Sequence, residues 1–99
     1  MRVVLTPETA AMLESRKRWW RAHRPATADL FEEEFLEAVT LIGERAALLQ
    51  VALNVRGRLI RRVLMRKTAS HLYYEIDEQA GVVTIVSAWG AARGGRPAL

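Results

Sequence analysis

The sequence predicts an α+β fold: an antiparallel β-sheet with an N-terminal strand and a long helical hairpin packed on one face, in the order β-α-α-β-β-β. Three observations lead there. Two segments in the first half, near residues 8–21 and 30–48, repeat apolar residues at spacings of three and four, the period of a helix with one buried stripe. The second half alternates apolar and polar residues, the period of a half-buried strand. Short links join those later runs, and short links suit antiparallel neighbours.

Arg2 to Leu5 is a brief β-favouring run. Thr6-Pro7-Glu8 follows with an N-cap hydroxyl, a proline suited to the first helical position and an acid near the positive helix end, so strand passes directly into helix. In that helix Ala10, Leu13, Lys17 and Trp20 form the inward stripe, with Lys17 snorkelling at its edge, while Glu14, Arg18 and Arg21 take the solvent side. Adjacent Trp19 and Trp20 stand about 100° apart around the axis, so one is core and the other covers the hairpin corner or meets a partner. Pro25 disfavours helical geometry at Arg24 and makes a sharp corner there. A second helix then buries Phe31, Phe35, Ala38, Ile42 and Leu49, carries most of its glutamates opposite, and should last to about Leu48.

Gly57 breaks the chain. Between Arg58 and Thr68, Val63 and Met65 fall on one face and Ile60, Arg62 and Leu64 on the other, which reads as a strand. From His71 to Asp77, Leu72, Tyr74 and Ile76 alternate against His71, Tyr73 and Glu75, and Tyr74 is assigned to the core. The loop ending at Gly81 joins this run as a hairpin to the β-rich stretch Val82 to Trp89. Val51 to Val55 also alternates and is open between an extended connector and an extra short strand.

Ninety-nine residues fit one domain, 1–99, with a flexible basic tail from about residue 90 that holds three glycines and a proline. With no cysteine and only His23 and His71, neither a disulfide, a metal site nor a cofactor is expected. The opening has only three apolar residues before a proline, too few for a secretory signal, and no stretch approaches the ~20 apolar residues of a membrane span. A cytoplasmic protein with no membrane partner is expected.

The net charge of +4 and pI near 10.3 point to a polyanionic target or an acidic partner without choosing between them. Distribution says more. Between Pro25 and Val55, Asp29, Glu32, Glu33, Glu34, Glu37 and Glu44 face only Arg45, whereas Arg56 to Lys67 holds Arg56, Arg58, Arg61, Arg62, Arg66 and Lys67 with no acid. The second stretch is read as the carrier of the positive field. A solvated sheet edge that discourages strand-to-strand aggregation is the plainer explanation of those arginines.

At this point the chain resembles the RelE/ParE superfamily of type II toxin–antitoxin systems. VVLTPETAAML resembles the family's strand-to-helix start, and WWRAHRPATADLFEEEFLEAVTLI its hairpin, with the turn at Arg24-Pro25 and an aromatic anchor at Phe31. RGRLIRRVLMR (56–66) followed by HLYYEID (71–77) is similar to its basic and Tyr-Tyr strands, and VVTIVSAWGAAR (82–93) to its last strand. The chain departs from many relatives in its apolar 46–55 segment and in having Trp89 and Gly90 where a histidine often closes the last strand.

The resemblance implies a toxin neutralised by a cognate antitoxin protein in a hetero-oligomer, with one of two targets. A ParE-like toxin inhibits DNA gyrase and needs no catalytic set; a RelE-like toxin cleaves mRNA on the ribosome by general acid–base chemistry. For cleavage, Arg61, Arg66 and Arg93 would hold the phosphate, and His71 and Tyr73, on the exposed face of one strand, would move the proton. Arginine stays protonated and is a poor base, so this scarcity of proton carriers favours the ParE-like branch. Arg56, Arg58, Arg61, Arg62, Arg66, Trp89, Arg93 and Arg96 are then the expected target- or antitoxin-binding residues. A non-catalytic nucleic-acid-binding module, with the basic strand as its phosphate track, is the rival from another class.

Overall fold

Strand, helical hairpin and meander follow one another as the periodicities require. A computed structural model describes residues 1–90 and 94–99 and contains β1 (Arg2–Leu5), α1 (Pro7–His23), α2 (Leu30–Arg45), β2 (Val51–Val55), β3 (Arg58–Met65), β4 (Ser70–Asp77) and β5 (Val82–Gly90). The start of α1 is built as its sequence suggests: Thr6 Oγ1 accepts from the Thr9 amide at 3.2 Å and Pro7 opens the first turn. Arg24, held out of helical geometry by Pro25, ends it and still donates its amide to the Trp20 carbonyl. Single 3-10 turns, Pro25–Thr27 and Ala46–Leu48, stand before and after α2.

The strand order is β1-β5-β4-β3-β2. β2 to β5 form an antiparallel meander, and β1 joins β5 in parallel, so the sheet is mixed at that edge. A parallel neighbour demands a crossover, and the hairpin begins it. Gly43 lets β1 and α2 approach closely, because a Cβ there would stand 3.3 Å from the Met1 carbonyl oxygen.

The open segment 51–55 is a strand. Arg56 and Gly57 both have positive φ, 53° and 86°, and Asn54 Oδ1 accepts the Gly57 amide at 2.9 Å, so a tight turn folds β2 back on β3. At the other end of the meander, β4 and β5 shift register between Tyr73 and Tyr74, leaving Val86 between the residues that pair with them.

One face of the sheet packs on the hairpin through Leu13, Phe31, Ala38, Ile42, Met65, Leu72, Tyr74, Val83 and Ile85. Each large apolar side chain buried there contributes about 1.5–3 kcal/mol by leaving water. Trp20 packs against this core, and Trp19 is 37% exposed, which answers which tryptophan turns inward.

The second face is not left to water. Ile60, Tyr73 and Ser87 are buried although they point away from the helices by strand alternation, and Pro97 in the tail is buried too. Gly94 accepts a hydrogen bond from Trp89 at one end of this face, and Leu99 accepts one from Arg58 at the other. Residues 94–99 therefore run across it as a strap.

Candidate functional site

Strand alternation distributes the arginines of β3 over both faces of the sheet. Arg61 turns to the helix side, where its Nη1 donates to the Leu49 carbonyl at 2.5 Å beside Tyr74, its partner across the ladder. Its charge also opposes the effect of burial on the Tyr74 phenol, and burial prevails, pushing that pKa up to about 12. Tyr74 thus stays a donor, and its hydroxyl bonds the Ala46 carbonyl at 2.7 Å. Arg61 and Tyr74 together close the link between α2 and β2.

Arg58 and Arg62 occupy the opposite face. Arg58 is engaged twice: Nε pairs with the Glu75 carboxylate, and Nη1 donates to Leu99 at 2.7 Å. Arg62 is half-buried and pairs across the ladder with Tyr73. Arg56 lies exposed in the β2–β3 turn, Arg66 and Lys67 in the β3–β4 turn, and Arg96 on the strap. Trp89 is half-buried opposite His71, with its indole N–H on the Gly94 carbonyl at 2.9 Å. Arg93 lies outside the described residues.

His71 and Tyr73 share the face that their alternation predicts, with ring centroids 6.2 Å apart at 74°. The expected exposure is corrected for Tyr73, which is only 2% accessible. Sequence periodicity sees which way a side chain points, not what later crosses over it. Burial lowers the pKa of His71 and the Arg62 guanidinium lowers it further, so the imidazole is neutral near pH 7.

Among the described residues, the candidates for cleavage chemistry therefore do not converge. Arg61 is on one face, His71 and Tyr73 are on the other, and Arg66 is beyond the strand end. Among the described residues, Arg62 combines a guanidinium with the vicinity of the neutral imidazole. A general base needs its phosphate-holding partners within hydrogen-bonding reach of the same substrate, and the described residues supply one such partner.

A buried acid was absent from the sequence expectations. Glu34 accepts the amides of Lys67 and Thr68 at 2.7 and 2.9 Å and the Thr68 hydroxyl at 2.6 Å, tying α2 to the β3–β4 turn that presents Arg66 and Lys67. The signal for it is positional. Residue 34 falls on the same helical stripe as Phe31 and Ala38, where a charge requires partners.

No protein-family model and no curated protein matches the chain. Among solved structures, a chain described as "Chromosomal ParDE TA system from P. aeruginosa" is similar over 91% of this chain and 95% of that one, with a TM-score of 0.75 and 15% identity. This chain has the fold of that ParDE protein. The strand, helical hairpin and meander that the ordered motifs implied are shared with it. At 15% identity the ParDE likeness is one of backbone and says nothing of individual side chains. Among the described residues, no helix of this ParDE-like chain is long and apolar enough to cross a membrane.

Proposed function

We propose that this chain is the toxin of a type II toxin–antitoxin pair, held inactive in the cytoplasm by a cognate antitoxin protein, and that it inhibits DNA gyrase in the ParE manner without chemistry of its own. The shared ParDE fold supports the toxin reading. The target rests on one observation: Arg61, Arg66, His71 and Tyr73 do not face a common substrate position. A toxin that acts by binding needs only a stiff frame and an exposed surface.

The antitoxin has two suitable seats. Among the described residues, β2 is an edge strand whose outer side is unpaired, open to an added strand. Between α2 and β3, a groove of about 270 Å³ is floored by Ala38, Leu41, Val63 and Met65 and rimmed by Arg66 and Lys67 on one side and Glu37 on the other, which suits an apolar segment flanked by polar or charged residues. Arg56, Arg62 and Arg96 extend the cationic contact surface, and Trp89 lies beside the strap.

Inducible expression alone and with the product of the adjacent small reading frame tests the toxin reading: arrest rescued by the neighbour is expected, and absence of arrest refutes it. Purified protein should then block supercoiling by gyrase and leave mRNA intact on translating ribosomes.

A RelE-like ribonuclease is the second reading, favoured by the neutral His71 beside Arg62. mRNA cleavage that disappears in His71→Gln, with supercoiling unaffected, would establish it in place of the first.

A further inference from the structure

The end of the sheet that carries the β2–β3 turn is not covered by the helical hairpin. A cleft of about 330 Å³ opens there, and among the described residues none of α1 or α2 lines it. Leu59 and Ile76 form apolar walls on the sheet face that elsewhere packs on the helices, and Leu59 is 51% exposed. Arg58 and Glu75 also line the cleft, but they pair with each other and spend their charges.

Two opposite charges beside the cleft are unspent. Arg56 is exposed in the β2–β3 turn and Glu78 at the start of the β4–β5 turn, and among the described residues neither has an ion-pair partner. Extending the β3–β4 register beyond Arg61 and Tyr74 brings the two turns level with each other. Arg56 also holds a φ of 53°, a left-handed geometry that Gly, Asn or Asp adopts at lower cost. The backbone of a tight turn has no need of an arginine there, so what the position offers is the side chain.

A nucleic acid would meet Asp77 and Glu78 at this end of the sheet, and they repel phosphates. A protein segment of mixed charge fits both signs. The unpaired edge of β2 finishes at Val55, next to Arg56, so a strand added along that edge arrives at the end of the sheet where the cleft opens. We propose that the cleft seats a mixed-charge segment of the antitoxin, continuous with a strand added to β2: an acid pairs with Arg56, an apolar side chain packs on Leu59 and Ile76, and a base pairs with Glu78. The inference rests on the toxin reading and gives the antitoxin a recognisable pattern of acid, apolar residue and base within one extended stretch.

The test is isothermal titration of the full chain with the purified product of the adjacent small reading frame. Arg56→Glu and Glu78→Lys should each weaken binding at least tenfold. Arg18→Glu reverses the same kind of charge at an exposed position of α1 and should leave affinity unchanged. Arg56→Asn should raise the urea midpoint by relieving the left-handed arginine and still weaken binding, so loss of folding cannot explain the loss of affinity. Affinity within twofold of the parent in both reversals would overturn the proposal while leaving the toxin reading in place, and so would an equal loss in Arg18→Glu, which would reduce the effect to net charge. Unchanged affinity with growth arrest abolished would also overturn it and assign the turn to the target. A parent chain that does not bind the neighbouring product at all removes the antitoxin pairing itself and this seat with it.

Discussion

Glu34 in the second turn of α2 and Thr68 in the turn after β3 are joined by two hydrogen bonds, amide and hydroxyl to the same carboxylate oxygen, at 2.9 and 2.6 Å. The second oxygen takes the Lys67 amide at 2.7 Å. A buried charge is tolerable there because three donors replace its water. Glu34→Ala orphans all three and should cost about 2–4 kcal/mol in urea unfolding, while Glu34→Gln, which keeps one acceptor oxygen but sets an NH2 against the remaining donor, should cost less. Equal stability of Glu34→Ala and the parent would mean that water enters the turn and replaces the carboxylate.

His71 links stability to pH. Its folded pKa lies below the ordinary 6.5 because burial and Arg62 disfavour the imidazolium, so the unfolded chain binds the proton more readily. The stabilisation from the neutral ring is complete above pH 6.5 and declines as pH falls through the folded pKa. The imidazole NMR midpoint should lie below 6.5 and rise in Arg62→Gln. His71→Gln should remove that part of the acid-side loss of stability, and an unchanged pH profile would count against the assignment.

The strap makes the two tyrosines distinguishable. Tyr74 faces the hairpin and Tyr73 the face that residues 94–99 cross. Deleting 94–99 should open Tyr73 to nitration by tetranitromethane and leave Tyr74 unreactive. Arg58→Ala, which loses the anchor on Leu99, should give a partial effect of the same kind. If Tyr73 stays protected in the deletion, neighbouring strand side chains cover it and the strap does not.

Trp20 carries a buried indole N–H with no acceptor among the described residues. An unpaired buried donor costs about 1–3 kcal/mol, so Trp20→Phe, which removes it and keeps an aromatic ring in the core, should change stability by less than about 1 kcal/mol. Trp20→Ala should cost about 3–5 kcal/mol through the cavity it leaves. Comparable losses in both variants would show that the indole N–H has an acceptor in solution.

The α+β class, the hairpin corner at Arg24-Pro25, the alternation of β3 and β4 and the burial of Tyr74 were all legible in the sequence, because each follows from local sterics or a short period. The 51–55 strand was readable only as extended, since its partner is set by the two left-handed residues of the next turn. The parallel pairing of β1 with β5 joins segments about eighty residues apart, beyond any periodicity.

The candidate site divides in the same way. Sequence by itself determined which residues were cationic or titratable and which alternated together, including His71 with Tyr73 on one strand face. Only the tertiary structure decided which arginines are engaged: Arg58 and Arg61 meet partners from distant segments, while Arg16 and Arg24 beside Trp19 have no ion pair among the described residues. Charge along a chain is additive and visible from composition, whereas the field at a surface depends on which opposite charges and carbonyls the fold brings beside each cation.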